Sequence, residues 1–285
     1  MTALELKNVS YIYSPNTPFC KVALDDVSLK VNAGVITGLM GHTGSGKSTL
    51  VQLFNGLIKP TSGQVLVGDE NIWTEPKKIS RFRYKVGLVF QYPEYQLFEE
   101  TVHRDIAFGP TNMGLDADEI ERRVLEAARF CGISDDLLEK SPFDLSGGQK
   151  RRVAIASVMA MEPEVLILDE PAAGLDPRGR EEILGGIRSY QRERKNSVII
   201  VSHSMEDMAR YSDEIIVMNK AKIYMQGSTA DVFARAEELS GVGLNVPQIT
   251  ELCNKLRASG VEVPYGIYTV ADAKAAIIDA LGGRK

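Results

Sequence analysis

Gly41-His42-Thr43-Gly44-Ser45-Gly46-Lys47-Ser48-Thr49 decides the fold of this 285-residue chain. It follows the apolar run 35–40, of strand length, and precedes Leu50, Leu53, Phe54 and Leu57 at helical spacing, which predicts a helix over 48–57. Strand, glycine loop and helix in this order fit the pattern GxxxxGK[ST]. Glycines let backbone N–H groups approach phosphate, Lys47 reaches the β/γ oxygens of a nucleotide, and the Ser48 hydroxyl binds Mg²⁺. Residues 41–49 are therefore read as one nucleotide-binding loop.

Two more segments add chemistry. Val165-Leu166-Ile167-Leu168-Asp169-Glu170 reads as a buried strand ending in two carboxylates, where open α/β sheets place ligands. Asp169 is expected to hold Mg²⁺, directly or through water, and Glu170 to orient or deprotonate an attacking water, since phosphoryl transfer depends on positioning and charge stabilisation. Leu145-Ser146-Gly147-Gly148-Gln149 supplies a second anion surface, because Ser-Gly-Gly at a helix start leaves N–H groups bare at the positive end of the helix. One chain thus carries two phosphate-binding surfaces.

His203 directly follows the apolar run 198–202 and is expected at the same sheet edge, near the γ-phosphate. His42 and His103 lack that placement and receive no catalytic role. Gln91 ends the run 86–90; its amide can meet a metal-bound water and move with the following loop. An aromatic to stack on the base is offered equally by Tyr11 and Tyr13.

The surrounding sequence reads as α/β. Strands are expected around Leu4 and Leu6, at 27–31, 64–67, 86–90 and 198–201, with an antiparallel pair at 215–218 and 222–226. A helical region lies between, at about 92–160, and a helix is expected from about Pro177 to Arg194. After Gly227 come amphipathic helices at 229–239, 247–259 and 269–281, with Pro247 at a first helical position, a capping box from Thr269 to Asp272, and Ile249, Leu252, Cys253 and Leu256 on one face.

The bulk composition bounds the rest. A net charge of −5 argues against holding nucleic acid or anionic lipid through a broad basic face, and the local run Lys77, Lys78, Arg81, Arg83 and Lys85 reads as a solvated segment. No stretch approaches the roughly 18 apolar residues of a membrane span, and the N-terminus does not have the pattern of a secretory signal, so a cytosolic product is expected. Cys20, Cys131 and Cys253, far apart and without CxxC spacing, suggest reduced thiols.

Taken together, Tyr13, the loop 41–49, Gln91, Leu145 to Gln149, Asp169, Glu170, Asp176 and His203 resemble the motif set of the ATP-binding cassette (ABC) ATPases over roughly residues 3–228. The resemblance implies a P-loop NTPase domain with a RecA-like parallel-sheet core, an antiparallel β subdomain and a helical subdomain. It also implies ATP and Mg²⁺ as cofactors, and a pair of subunits sandwiching two ATP molecules. Ser146, Gly147, Gly148 and Gln149, with Asp176, would then face the ATP held by the opposite subunit, and family spacing prefers Tyr13 over Tyr11 at the adenine. Ala172 stands where many relatives have threonine, which puts no catalytic group in doubt.

A narrower similarity comes from Phe90-Gln91-Tyr92-Pro93-Glu94-Tyr95-Gln96-Leu97-Phe98-Glu99-Glu100-Thr101-Val102 and Asp105 to Pro110. These segments resemble the ATPases of energy-coupling factor (ECF) transporters, the group that includes cobalt-transport ATPases, and most of all the second ATPase of the vitamin systems. That likeness implies a non-identical ATPase partner, a transmembrane coupling subunit docking near Tyr95, Leu97 and Phe98, and a separate membrane substrate-binding subunit. It places the chain at the cytoplasmic membrane face, with residues 229–285 as a dimer-contact extension. The alternatives are a conventional ABC importer, which shares every catalytic motif, and a soluble ABC protein acting on DNA or ribosomes, which usually carries a long coiled-coil insertion or a second cassette.

Overall fold

Two sheets meet around the glycine loop. The computed structural model describes residues 1–282. Ten strands occur among them: β1 (Thr2–Tyr13), β2 (Lys21–Asn32), β3 (Ile36–Gly41), β4 (Ser62–Val67), β5 (Glu70–Asn71), β6 (Val86–Val89), β7 (Val165–Asp169), β8 (Ser197–Val201), β9 (Glu214–Asn219) and β10 (Lys222–Ser228). The larger sheet has the order β10-β9-β3-β8-β7-β6, parallel from β9 to β6 with β10 antiparallel at its edge. The smaller sheet, β2-β1-β4-β5, is antiparallel throughout.

The continuous apolar runs of the sequence follow from this arrangement, because the parallel sheet is covered on both faces. Along the strands the side chains alternate between two cores. Leu166, Leu168, Val198, Ile200 and Val217 face the helices Val102–Asn112, Ala117–Phe130, Gly147–Met159 and Pro177–Arg194. Val165, Ile167, Ile199, Val201 and Met218 face the helix Lys47–Phe54 and the antiparallel sheet.

Several expected bounds shift for local reasons. The helix after the glycine loop stops at Phe54 rather than 57, because Gly56 turns left-handed and the Asn55 amide is drawn to the Val86 carbonyl. Residues 229–239 form two helices, Thr229–Ala234 and Ala236–Gly241, since Arg235 leaves helical geometry and its guanidinium forks onto Glu238; Glu237 and Glu238 favour a new N-terminus there. Pro247 precedes the next helix, Gln248–Ala258, instead of opening it. Cys253 is buried in a small core of its own with Val263, Ile267 and Ala273, Ile249 and Leu256 pack against it, and Leu252 faces outward. Before the last helix, Val270–Ala280, the Thr269 hydroxyl accepts the Asp272 N–H and donates to the Asp272 carboxylate, half of the expected capping box.

The helix Pro177–Arg194 begins on Asp176, whose carboxylate accepts the Gly179 N–H at 2.6 Å, with Pro177 at the first helical position. Its contact with the helix Ala117–Phe130 depends on Gly186, where a Cβ would be driven into the Phe130 carbonyl, while Gly185 beside it faces open space. We expect Gly186→Ala to destabilise the chain by about 1–3 kcal/mol, as overpacking against backbone does. Gly185→Ala is expected to be neutral or to stabilise by about 0.5–1 kcal/mol, because it removes a helix-interior glycine. Urea unfolding of the two variants checks this, and equal losses would contradict the packing described.

Candidate active site

The glycine loop takes its shape from backbone constraints. Gly41, the last residue of β3, has φ 150° and lies so close to the Met218 carbonyl and the Ser45 hydroxyl that a Cβ has no room. Gly46, at φ 110°, stands before the helix Lys47–Phe54 and supplies no side-chain cap, leaving that helix start with free N–H groups. The outer side of the loop is held by the β9–β10 turn, where the Ala221 N–H donates to the Ser45 carbonyl at 3.1 Å. Lys47 is 7% exposed, and its ammonium donates to the carbonyls of Gly41 at 2.6 Å and His42 at 3.0 Å.

Strand ends bring the acids to the same place. Asp169 closes β7, and Glu170 follows in a left-handed conformation, φ 53°, fixed by its N–H donating to the Val201 carbonyl of β8 at 2.9 Å. This turn sets its side chain 3.7 Å from Nε2 of His203, with Oε1 buried and without a hydrogen-bond partner. Burial, reinforced by Asp169 and opposed by Lys47, pushes the Glu170 carboxyl up to about 7. Burial also raises Asp169, against the pull of Lys47, and lowers Lys47 against the pull of both acids. His203 lies below the ordinary imidazole range through burial, then Lys47 and His42. Near pH 7 it therefore faces Glu170 as a neutral ring. A carboxylate held close to neutrality beside a cation is suited to take a proton from water.

These groups share one cleft of about 250 Å³. Thr43, Gly44, Gly46, Lys47, Ser48 and Thr49 line it with Gln91, Asp169, Glu170, His203 and Tyr13. Tyr13 Oη lies 3.1 Å from Thr49 Oγ1, whereas Tyr11 stacks edge-on against Tyr13 and packs on the core behind it. The geometry thus gives the cleft to Tyr13. Lys21 and Ala23, which the sequence reading did not single out, also line it. The signal for Lys21 is its pairing opposite Tyr13 in the β1–β2 register, which no local pattern reveals.

Other candidates lie elsewhere. The His42 ring turns away from the cleft to bond the Val242 carbonyl in the C-terminal segment, and contributes to the loop through its own carbonyl, which Lys47 engages. Ser146 caps the helix Gly147–Met159 in a reciprocal box: its hydroxyl accepts the Gln149 N–H at 3.4 Å, and its own N–H donates to Gln149 Oε1 at 2.9 Å. Ser146 and Gly147 are exposed, and neither lines the cleft of their own chain. Near Gln91, Leu97 is buried and forms the floor of a groove with Ala154 and Val158, while Phe98 and Phe108 meet edge-on at 4.8 Å along its wall. Tyr95, 85% exposed, stands outside that groove.

Comparisons with known proteins agree with this architecture. The family model described as "ABC transporter" matches residues 24–173. Relatives named "Energy-coupling factor transporter ATP-binding protein EcfA2" include one from Caldanaerobacter subterraneus, 51% identical over 99% of both chains. Another, from Clostridium perfringens, is 50% identical over 98% of both. Among solved structures, cbiO1 from Clostridium perfringens, described as part of the ABC transporter complex cbiONQ, superposes with a TM-score of 0.75 at 41% identity, covering 89% of this chain and 99% of that one. The ATP-binding cassette MJ0796, solved as a dimer bound to ADP and Pi, superposes at 0.71 with 27% identity, covering 79% of this chain and 98% of that one. A cleft that unites a phosphate loop, two acids and a histidine at the edge of a parallel sheet is that of an ABC-type ATPase. The chain belongs to the ABC transporter ATPases and, within them, to the ATP-binding proteins of energy-coupling factor transporters.

The state of Glu170 gives the site a pH signature. Hydrolysis by the wild-type protein is expected to fall as pH drops below about 7, where Glu170 takes up its proton. Because its folded pKa is raised from 4.5, the stability tied to its protonation is complete below about 4.5 and is lost as pH rises through about 7. Glu170→Gln should therefore slow hydrolysis about a hundredfold or more. It should also raise Tm above pH 7 by more than it does near pH 5. Wild-type turnover, or a pH-independent change in Tm, would count against Glu170 as the base.

Proposed function

We propose that this chain is the ATP-hydrolysing subunit of an ECF-type importer, working on the cytoplasmic face of the cell membrane and coupling ATP binding and hydrolysis to uptake of a vitamin or a transition-metal ion. The observation that carries this reading is the apolar groove of Leu97, Phe98 and Phe108, which begins a few residues beyond Gln91 of the nucleotide cleft. A helix docked there would sit directly on the loop that meets ATP. The whole-length likeness to ECF ATP-binding proteins supports it, and no helix among the described residues is long and apolar enough to cross a membrane.

In this reading residues 1–228 form the ATP-binding domain, with a helical subdomain at about 92–160, and residues 229–285 an extension that contacts a second ATPase, a non-identical homologue. A transmembrane coupling subunit occupies the groove and a separate membrane protein binds the substrate; no nucleic acid is involved. Tyr13 stacks on adenine, the loop 41–49 cradles the phosphates, and Lys47 offsets their charge. Ser48, Asp169 and Gln91 present oxygen donors to one cleft, a set that fits a hard cation such as Mg²⁺, which commonly takes one or two carboxylates together with substrate phosphates. Mg²⁺ there would offset charge on the phosphate oxygens. Glu170 takes the proton of the attacking water, and His203 faces it from the next strand end. Ser146, Gly147, Gly148 and Gln149, the first two exposed and none lining the cleft of their own chain, serve the ATP of the partner, with Asp176 linking the two sites.

Purification of this chain from native membranes, followed by mass spectrometry, tests the assignment. We expect a second, distinct ATPase and two small integral membrane proteins. Recovery with ribosomes or DNA instead would sink it.

A further inference from the structure

One guanidinium stands where the loop after Gln91, the turn after Glu170 and the helix headed by Ser146 meet. Arg151, in the helix Gly147–Met159, is 5% exposed. Its Nε and Nη2 donate to the two carboxylate oxygens of Glu94 at 3.2 and 2.9 Å, and its Nη1 donates to the Ala173 carbonyl. Glu94 lies on the short turn Pro93–Gln96 just beyond Gln91, entered through Tyr92 at a left-handed φ of 59°. Ala173 closes the turn that starts at Glu170, its N–H donating to the Glu170 carbonyl at 3.2 Å, and Asp176 follows shortly after. Ser146 caps the helix that carries Arg151.

We propose that Arg151 is a positioning residue that locks the loop after Gln91 and the turn after Glu170 to the helix headed by Ser146, so that the state of one ATP site sets the placement of the segment serving the other. This rests on reading Ser146 to Gly148 as acting on the partner's ATP. The planar fork of arginine matters, because it grips a carboxylate through two N–H groups and still reaches a carbonyl with a third; a lysine ammonium is a point charge without that geometry. Burial makes the link stiff. Moving Glu94 away would leave the guanidinium without its counter-charge in a poorly solvated setting, so the loop shifts with the helix or not at all. The same helix forms part of the groove floor through Ala154 and Val158, and a partner pressing on that groove therefore acts on the piece that Arg151 clamps.

The test uses the full chain purified with its partner ATPase and membrane subunits, with MgATP as the ligand. Glu94→Leu strands the buried Arg151 charge and risks unfolding, and Arg151→Met leaves the half-buried Glu94 unpaired, so the informative variant is the double substitution, which removes both charges together. We expect the double variant to melt close to wild type and to keep its KM for MgATP within about twofold, yet to lose kcat about tenfold or more, the pattern of a misplaced transition-state contact. Arg151→Lys, which keeps the ion pair but not the fork, should fall between the two. A double variant with wild-type kcat overturns the proposal, as does one whose KM and melting temperature deteriorate together, the mark of a packing role. Ser146→Arg assayed alongside separates the two ideas. If it leaves hydrolysis intact, the action in trans has failed; if it abolishes hydrolysis and the double variant does not, only the role of Arg151 has failed.

Discussion

The arrangement of this molecule depends on keeping a lysine ammonium dry beside two carboxylates. Removing isolated ions from water costs several kcal/mol each, and the cost is tolerable only where opposite charges and hydrogen bonds answer them in place. Lys47 is answered by the carbonyls of Gly41 and His42 and by the fields of Asp169 and Glu170. Those groups arrive from two distant stretches of chain, and parallel strands deliver them: β3 ends in Gly41 and β7 in Asp169, while β8 between them leads to His203. Parallel pairing of β3, β8 and β7 sets these ends at one edge, and the two cores on either side of the sheet hold it there.

The segment proposed to serve a partner's ATP is built on another principle. Ser146 and Gln149 satisfy each other's backbone N–H groups, so the helix start is rigid before any nucleotide arrives. Gly147 adds no side chain to that exposed edge, and nothing stands within 4 Å of where its Cβ would be. The chain thus carries a charged cleft at Lys47, Asp169 and Glu170 and, apart from it, an exposed helix start at Ser146 and Gly147.

Much of this was legible in the residues because it is local. The glycine loop, the acids ending an apolar run and the histidine after another are patterns that each span a few residues, and continuous apolar stretches marked β3, β7 and β8 because both faces of their sheet are covered. What escaped depends on partners far along the chain. Lys21 enters the cleft only through its register opposite Tyr13. The outward face of Leu252 and the break at Arg235 reflect how the tail packs rather than its helical periodicity. Leu97 belongs to the groove segment in the sequence, and only the fold shows that it is buried there, with Ala154 and Val158 of the helix Gly147–Met159 beside it. Glu94 and Arg151 are ordinary charges in sequence, and only the fold makes them a pair.

The bond between His42 and Val242 joins residues 200 positions apart, from the phosphate loop to the tail. It acts as a ruler on the intervening linker. The path from Ser228, at the end of β10, through two short helices to Val242 must have one length for that carbonyl to meet the ring. Lengthening or shortening the path by a single residue would leave every sequence motif intact and still move the Val242 carbonyl relative to the His42 ring. Spacing between Ser228 and Val242 is thus information of the same kind as the motifs, written in chain length instead of residue type.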